Sequence, residues 1–201
     1  MKVLIFDSET TGLPLWDKPS EDPGQPHLCQ FTAAAFDDQT REEYDYVDML
    51  IKPDGWVIPP ELTKIHGISH ERALAEGEPE INAARQFYRM AKAADRVSGY
   101  NIEFDLRIMR IAMKRAGISE PDLDVFSAMI KEKKHDVMRL CTPICKLPPT
   151  PKMMATGRKS FKNPTLAEAV KGVLGEEMPD AHDARADVMA TQRLYWHLVK
   201  P

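Results

Sequence analysis

Residues 3–6, Val-Leu-Ile-Phe, form an unbroken apolar run near the start of the chain. Four residues are too few for a helix, so the run reads as a β-strand buried on both faces, as in a sheet covered on either side. The strand is expected to stop at Asp7. Residues 28–36 and 44–51 are further strand segments, and the polar stretch 37–43 between them predicts an antiparallel hairpin.

Helical signals follow. Residues 60–65 predict a short helix closed by Gly67, and Ser69 suits the cap of another over 71–75. In residues 80–94, Ile81, Ala84, Phe87, Tyr88 and Ala91 recur at helical spacing. Residues 96–99 return to a strand. Asn101 then reads as the cap of a helix with Phe104, Ile108, Ile111 and Ala112 on its apolar face and Gly117 as its stop. Residues 121–151 show little periodicity beyond a helix near 136–145 and close on Pro148, Pro149 and Pro151. Thr165 with Glu168 is a capping box that opens a helix stopping near Gly175. The last helix is expected from about Asp183, burying Ala184, Val188, Leu194, Tyr195 and Leu198. Strands alternating with helices give an α/β fold in which helices pack on a mixed sheet.

The chain has 201 residues, 43% hydrophobic and 29% charged, enough for one sizeable core, so 1–201 reads as a single domain. Residues 14–27 hold Pro14, Pro19, Pro23, Pro26 and Gly24 and read as a surface insertion between the first two strands. No apolar stretch approaches the roughly 18 residues needed to cross a bilayer. Asp7 and Glu9 also interrupt what would be a signal-peptide core, which predicts a cytoplasmic protein with no membrane partner. Cys29, Cys141 and Cys145 are an odd set that suits free, buried thiols. Cys141 and Cys145 with His135 fall short of the four ligands of a closed zinc site.

The net charge of −4 argues against a protein that coats nucleic acid, but the charge is unevenly spread. Residues 137–167 contain no acid and the six cations Arg139, Lys146, Lys152, Arg158, Lys159 and Lys162, leaving −10 on the remainder. Such a strip is either a solvated loop or a surface that tracks phosphates beside a site whose carboxylates would repel a polyanion.

Three segments carry candidate chemistry. In FDSETTG, residues 6–12, Asp7 and Glu9 stand two apart, which on an extended chain points both carboxylates to one side. Two anions on one face are explained more naturally by a cation than by stability. The Thr-Thr-Gly that follows can turn the backbone and present amides to a phosphate. In GYNIEFDLRIM, residues 99–109, Asp105 lies in the first turns of a helix, where a favourable dipole is explanation enough for a single acid. In HDARAD, residues 182–187, His182 precedes Asp187 by about one and a half turns at the opening of the last helix. Asp7, Glu9, Asp105 and Asp187 are oxygen donors of the type that hard cations take, and His182 is a candidate general base.

With these segments in this order, the sequence resembles the DnaQ-like 3′-to-5′ exonucleases of the DEDDh type. The first motif corresponds to Asp7-Ser8-Glu9-Thr10-Thr11-Gly12, the second to Asn101 and Asp105, and the third to His182 and Asp187 with a four-residue gap. The segment LTKIHGIS, residues 62–69, is similar to a further family segment whose histidine, here His66, lies near the terminal nucleotide. The resemblance implies a ribonuclease H-like mixed β-sheet flanked by helices, with the site at the sheet centre. It implies two divalent ions, Mg²⁺ or Mn²⁺, held by Asp7, Glu9, Asp105 and Asp187, with His182 taking the proton of the attacking water. By position it assigns Thr10, Leu13, His66, Asn101 and Phe104 to the terminal nucleotide.

The implied substrate is the 3′ end of single-stranded or frayed DNA, with release of nucleoside 5′-monophosphates. An RNA 3′-end exonuclease or oligoribonuclease-like enzyme would use the same catalytic set. A binding or polymerase-associated module that has lost catalysis is disfavoured, because all five catalytic positions are filled. Only 14 residues follow Asp187, so no tail supports a polymerase partner in trans, and no feature sets an oligomeric state.

Overall fold

The computed structural model describes residues 1–178 and 184–199. Five strands, β1 (Lys2–Thr10), β2 (Leu28–Asp37), β3 (Glu43–Leu50), β4 (Arg96–Gly99) and β5 (Lys134–Asp136), form one sheet in the order β3-β2-β1-β4-β5. β1 pairs antiparallel with β2, and β2 with β3, while β4 runs parallel to both β1 and β5. The helices are α1 (Pro60–His66), α2 (His70–Glu76), α3 (Glu80–Ala93), α4 (Ile102–Arg115), α5 (Glu120–Lys133), α6 (Val137–Cys145), α7 (Pro151–Ala155), α8 (Leu166–Ala169), continued as a π-helical turn (Val170–Leu174), and α9 (Ala184–Leu198). This is the ribonuclease H-like mixed sheet with helices against it. Among the described residues, no helix is long and apolar enough to cross a membrane.

The strand alternation of β1 divides the core. Leu4 and Phe6 belong to a cluster with Phe87, Ile108 and Met109 of α3 and α4, whereas Val3 and Ile5 join Val137, Cys141, Val188, Leu194 and Tyr195 of α6 and α9. Phe6 packs at ring-centroid distances of 4.8 Å from Phe87 and 6.3 Å from Phe31. Burying a side chain of this size contributes about 1.5–3 kcal/mol, and truncating one to Ala typically costs about 3–5 kcal/mol.

Several local expectations are corrected. β1 continues past Asp7 to Thr10, because β2 pairs with it from Lys2↔Asp37 to Thr10↔Leu28 and supplies backbone partners for the polar half. Asn101 is not a side-chain cap: it takes a left-handed conformation (φ 61°, ψ 45°), and its carbonyl accepts from the Phe104 amide at 2.9 Å. Residues 120–136 hold α5 and β5. Pro121 sits in the first turn of α5, where its missing N–H costs nothing, and Ser119 caps the helix through the Asp122 amide.

Residues 14–27 form a loop between β1 and β2, built around the buried side-chain amide of Gln25. Gln25 accepts from the Leu15 amide (3.0 Å) and donates to the carbonyls of Leu15 and Pro19 (2.9 Å each). From α4, Arg107 donates to Ser20 Oγ (3.0 Å) and the Lys18 carbonyl, and Arg115 donates to the carbonyls of Gln25 and Pro26 (2.8 and 2.9 Å).

Candidate active site

The pairing of β1 with β4 ends at Ile5↔Ser98, while its pairing with β2 runs on to Thr10. Residues 7–10 therefore extend beyond their parallel neighbour at the carboxyl end of the central strand, the place where open α/β sheets bind ligands. The alternation that sends Val3 and Ile5 toward α9 continues into Asp7 and Glu9, and the alternation of Leu4 and Phe6 toward α4 continues into Ser8.

Asp187 enters from the first turn of α9, where the positive end of the helix favours an anion. That turn is fixed on the sheet by Arg185, which pairs with Glu43 at 2.9 Å and stacks over the Tyr46 ring with its guanidinium 4.0 Å from the centroid. Carboxylate oxygens of Asp7, Glu9 and Asp187 all lie within 4.8 Å of one another. Asp105, buried in the first turn of α4, approaches from the other face of β1, and its Oδ1 accepts a 2.6 Å hydrogen bond from Ser8 Oγ.

This clustering is electrostatically costly. Burial, and then Asp187, push Asp7 up to about 7. Burial, with Asp7 and Asp187 behind it, pushes Glu9 up to about 8. Asp105 is raised well above the usual carboxylate range by burial and by Asp7, with the Ser8 hydrogen bond opposing the rise. Four carboxyl groups in this setting do not all ionise at neutral pH unless a cation joins them. Their oxygens are the donors that Mg²⁺ and Mn²⁺ take, so the residues present fit a hard divalent ion.

The other expected site residues are placed less uniformly. Thr10 is buried, and its hydroxyl donates to the Gly12 carbonyl at 2.7 Å, shaping the turn after β1. Leu13 is 79% exposed just beyond that turn. His66 is buried at the end of α1, and its Nδ1 accepts from the Ile68 amide at 3.2 Å. Phe104 is half-buried against the larger core cluster. His182 lies outside the described residues. Two contributors escaped the sequence reading, Ser8 and Arg185. Ser8 was signalled by alternation alone, since a polar residue between two same-facing carboxylates must face the opposite helix.

A mixed five-stranded sheet whose central strand ends in converging carboxylates defines the ribonuclease H-like class of nucleases. Within that class the chain matches the RNase T exonuclease family over residues 4–195, and it belongs to that family of hydrolases. It is similar in fold to Escherichia coli exonuclease I in complex with a dT13 oligonucleotide (TM-score 0.73, 24% identity, covering 99% of this chain and 41% of that one). The zinc-ion-bound form of the E. coli exonuclease I–ssDNA complex gives a TM-score of 0.71 at 24% identity, over 99% of this chain and 40% of that one. The complex with a 5cy-dT13 oligonucleotide gives 0.71 at 25% identity over the same shares. The chain thus spans about two fifths of the length of the solved chains that it matches. Comparison with curated proteins finds no match.

Proposed function

We propose that the protein is a metal-dependent 3′-to-5′ exonuclease that hydrolyses the terminal phosphodiester of single-stranded or frayed DNA and releases nucleoside 5′-monophosphates. The observation that carries this reading is the convergence of Asp7, Glu9 and Asp187 within 4.8 Å in a chain of the exonuclease family. The single-stranded oligonucleotides bound by exonuclease I of the same fold support the substrate class.

In this reading Asp7, Glu9, Asp105 and Asp187 hold two divalent ions, Mg²⁺ or Mn²⁺, which when bound neutralise charge developing at phosphorus. Asp7 and Glu9 present their oxygens from one face of β1, and Asp187 closes the set from α9. Ser8 keeps Asp105 directed at β1. His182, five residues before Asp187, takes the proton from the attacking water. Thr10, Leu13, His66, Asn101 and Phe104 surround the terminal nucleotide, with the exposed Leu13 side chain offering an apolar face to a base.

The test sets labelled DNA and RNA oligonucleotides side by side with Mg²⁺, Mn²⁺ or EDTA. The reading expects metal-dependent shortening of single-stranded DNA and none in EDTA. RNA degraded far faster than DNA would reassign the substrate, and cleavage undiminished by EDTA would overturn the metal site.

A further inference from the structure

Between α6 and α8 the chain makes an excursion closed at its base, where the Lys162 amide donates to the Leu147 carbonyl at 3.0 Å. Within it, Arg158 N–H donates to the Met153 carbonyl at 2.9 Å and folds the tip after α7 back on itself. The excursion contains four cations and no acid. Lys162 is neutralised by Glu168, with contacts of 2.7 and 2.8 Å. Lys152, Arg158 and Lys159 are exposed, and among the described residues none of them forms an ion pair. Beside them the Phe161 ring is 45% exposed and lines a shallow depression with Met153, Arg158 and Asn163.

The root of this excursion is tied to the catalytic end of the sheet. Tyr100 Oη lies within hydrogen-bonding distance of the carbonyls of Pro164 (2.8 Å) and Thr165 (2.9 Å), to which it donates, and Tyr100 stands just before Asn101 and the helix that carries Asp105. On the other side, α6 and α8 share a core cluster with α9, the helix that carries Asp187. Unpaired cations track a phosphate backbone, and an exposed ring takes a base face without regard to sequence, which together make a single-strand surface. A strongly acidic site on a chain of net charge −4 gains from such a surface, because it must draw in a polyanion.

We propose that residues 147–162 bind single-stranded nucleic acid leading into the carboxylate site. Lys152, Arg158 and Lys159 contact successive phosphates, and Phe161 stacks on a base. The inference rests on the reading of that site as a nuclease.

The test measures binding of a labelled oligothymidylate of about 20 nucleotides to the full chain in EDTA, as a function of salt. Each phosphate contact to a single strand contributes about 0.7 to the slope of log K against log salt, so the K152Q/R158Q/K159Q variant should lose about 2 from it. A control variant, R85Q/K92Q/K131Q on α3 and α5, changes net charge equally and should leave the slope close to that of the parent. Phe161→Ala should weaken binding roughly tenfold at an unchanged slope. Thermal unfolding of each variant checks that it is folded. An unaltered slope in the first variant, or an equal loss in the control, overturns the proposed surface. Failure of the parent to cleave any oligonucleotide with Mg²⁺ or Mn²⁺ would instead overturn the nuclease reading, and the slopes would still decide the surface.

Discussion

Ser8 Oγ donates to Asp105 Oδ1 at 2.6 Å, joining the central strand to the first turn of α4 between two carboxylates that face the other way. It is the only hydrogen bond from a side chain to Asp105 among the contacts of the described residues, and it opposes the rise in the Asp105 pKa that burial causes. Ser8→Ala removes that donor and leaves a buried carboxyl short of a partner. The expected stability loss is about 1–3 kcal/mol, with metal affinity falling roughly 10- to 100-fold as for lost supports of metal ligands. Activity titrated against Mn²⁺ concentration checks it. An unchanged half-saturating concentration would show that Ser8 does not hold Asp105 for the ion.

The metal-free protein should lose stability as pH rises. Asp7 and Glu9 keep their protons to about 7 and about 8 when folded, whereas an unfolded chain gives them up near pH 4. Between these limits the folded state binds more protons than the unfolded one, so its stability falls with rising pH. The contribution is complete below about pH 4 and gone above about pH 8, with a size on the order of a few kcal/mol. Thermal unfolding in EDTA at about pH 5.5 and 8.5 measures it. Added Mn²⁺ should restore stability at the higher pH, and a metal-free protein more stable at that pH would contradict the electrostatic account.

Asp7→Asn and Asp187→Asn should each abolish cleavage while leaving the metal-free fold intact or more stable near pH 8, since each removes one of three anions within 4.8 Å. A large fall in melting temperature in EDTA would mean that these carboxylates serve the fold.

His182→Ala should cost roughly 10²–10⁴ in rate, with metal binding little changed. Near-normal turnover, or loss of metal binding, would remove His182 from the role of base.

The first four strands and the helices α1 to α4, α6, α8 and α9 were legible because apolar runs and helical periodicity report burial directly, and the capping box at Thr165 and Glu168 forms as expected. The end of β1 was not, because strand pairing there is set by β2, far along the chain, rather than by residues 7–10 themselves. Asn101 misled for a related reason: a residue common at caps is also one that tolerates left-handed backbone. α5 was not legible because residues 121–133 show little regular apolar spacing, although Pro121 suits the first turn that it occupies. Of the candidate site, the spacing of Asp7 and Glu9 carried their shared direction. The approach of Asp187 depends on Arg185 meeting Glu43 and Tyr46, which no local pattern announces.

Arg107, two residues beyond Asp105, should matter to the insertion more than to the core. Its hydrogen bonds to Ser20 and Lys18 hold the 14–27 loop on α4, so Arg107→Ala should speed amide exchange across that loop and cost about 1–3 kcal/mol. Exchange unchanged in 14–27 would show that Gln25 and Arg115 order the loop without Arg107.

The most direct measurement of the central claim follows a single-stranded DNA carrying a 5′ label through a time course with Mg²⁺, beside the same strand in EDTA and a circular single strand. The account expects a ladder shortened stepwise from the 3′ end, no reaction in EDTA, an intact circle, and no ladder from Asp7→Asn. Early release of the 5′ label, cuts in the circle, or a ladder that persists in EDTA would contradict it.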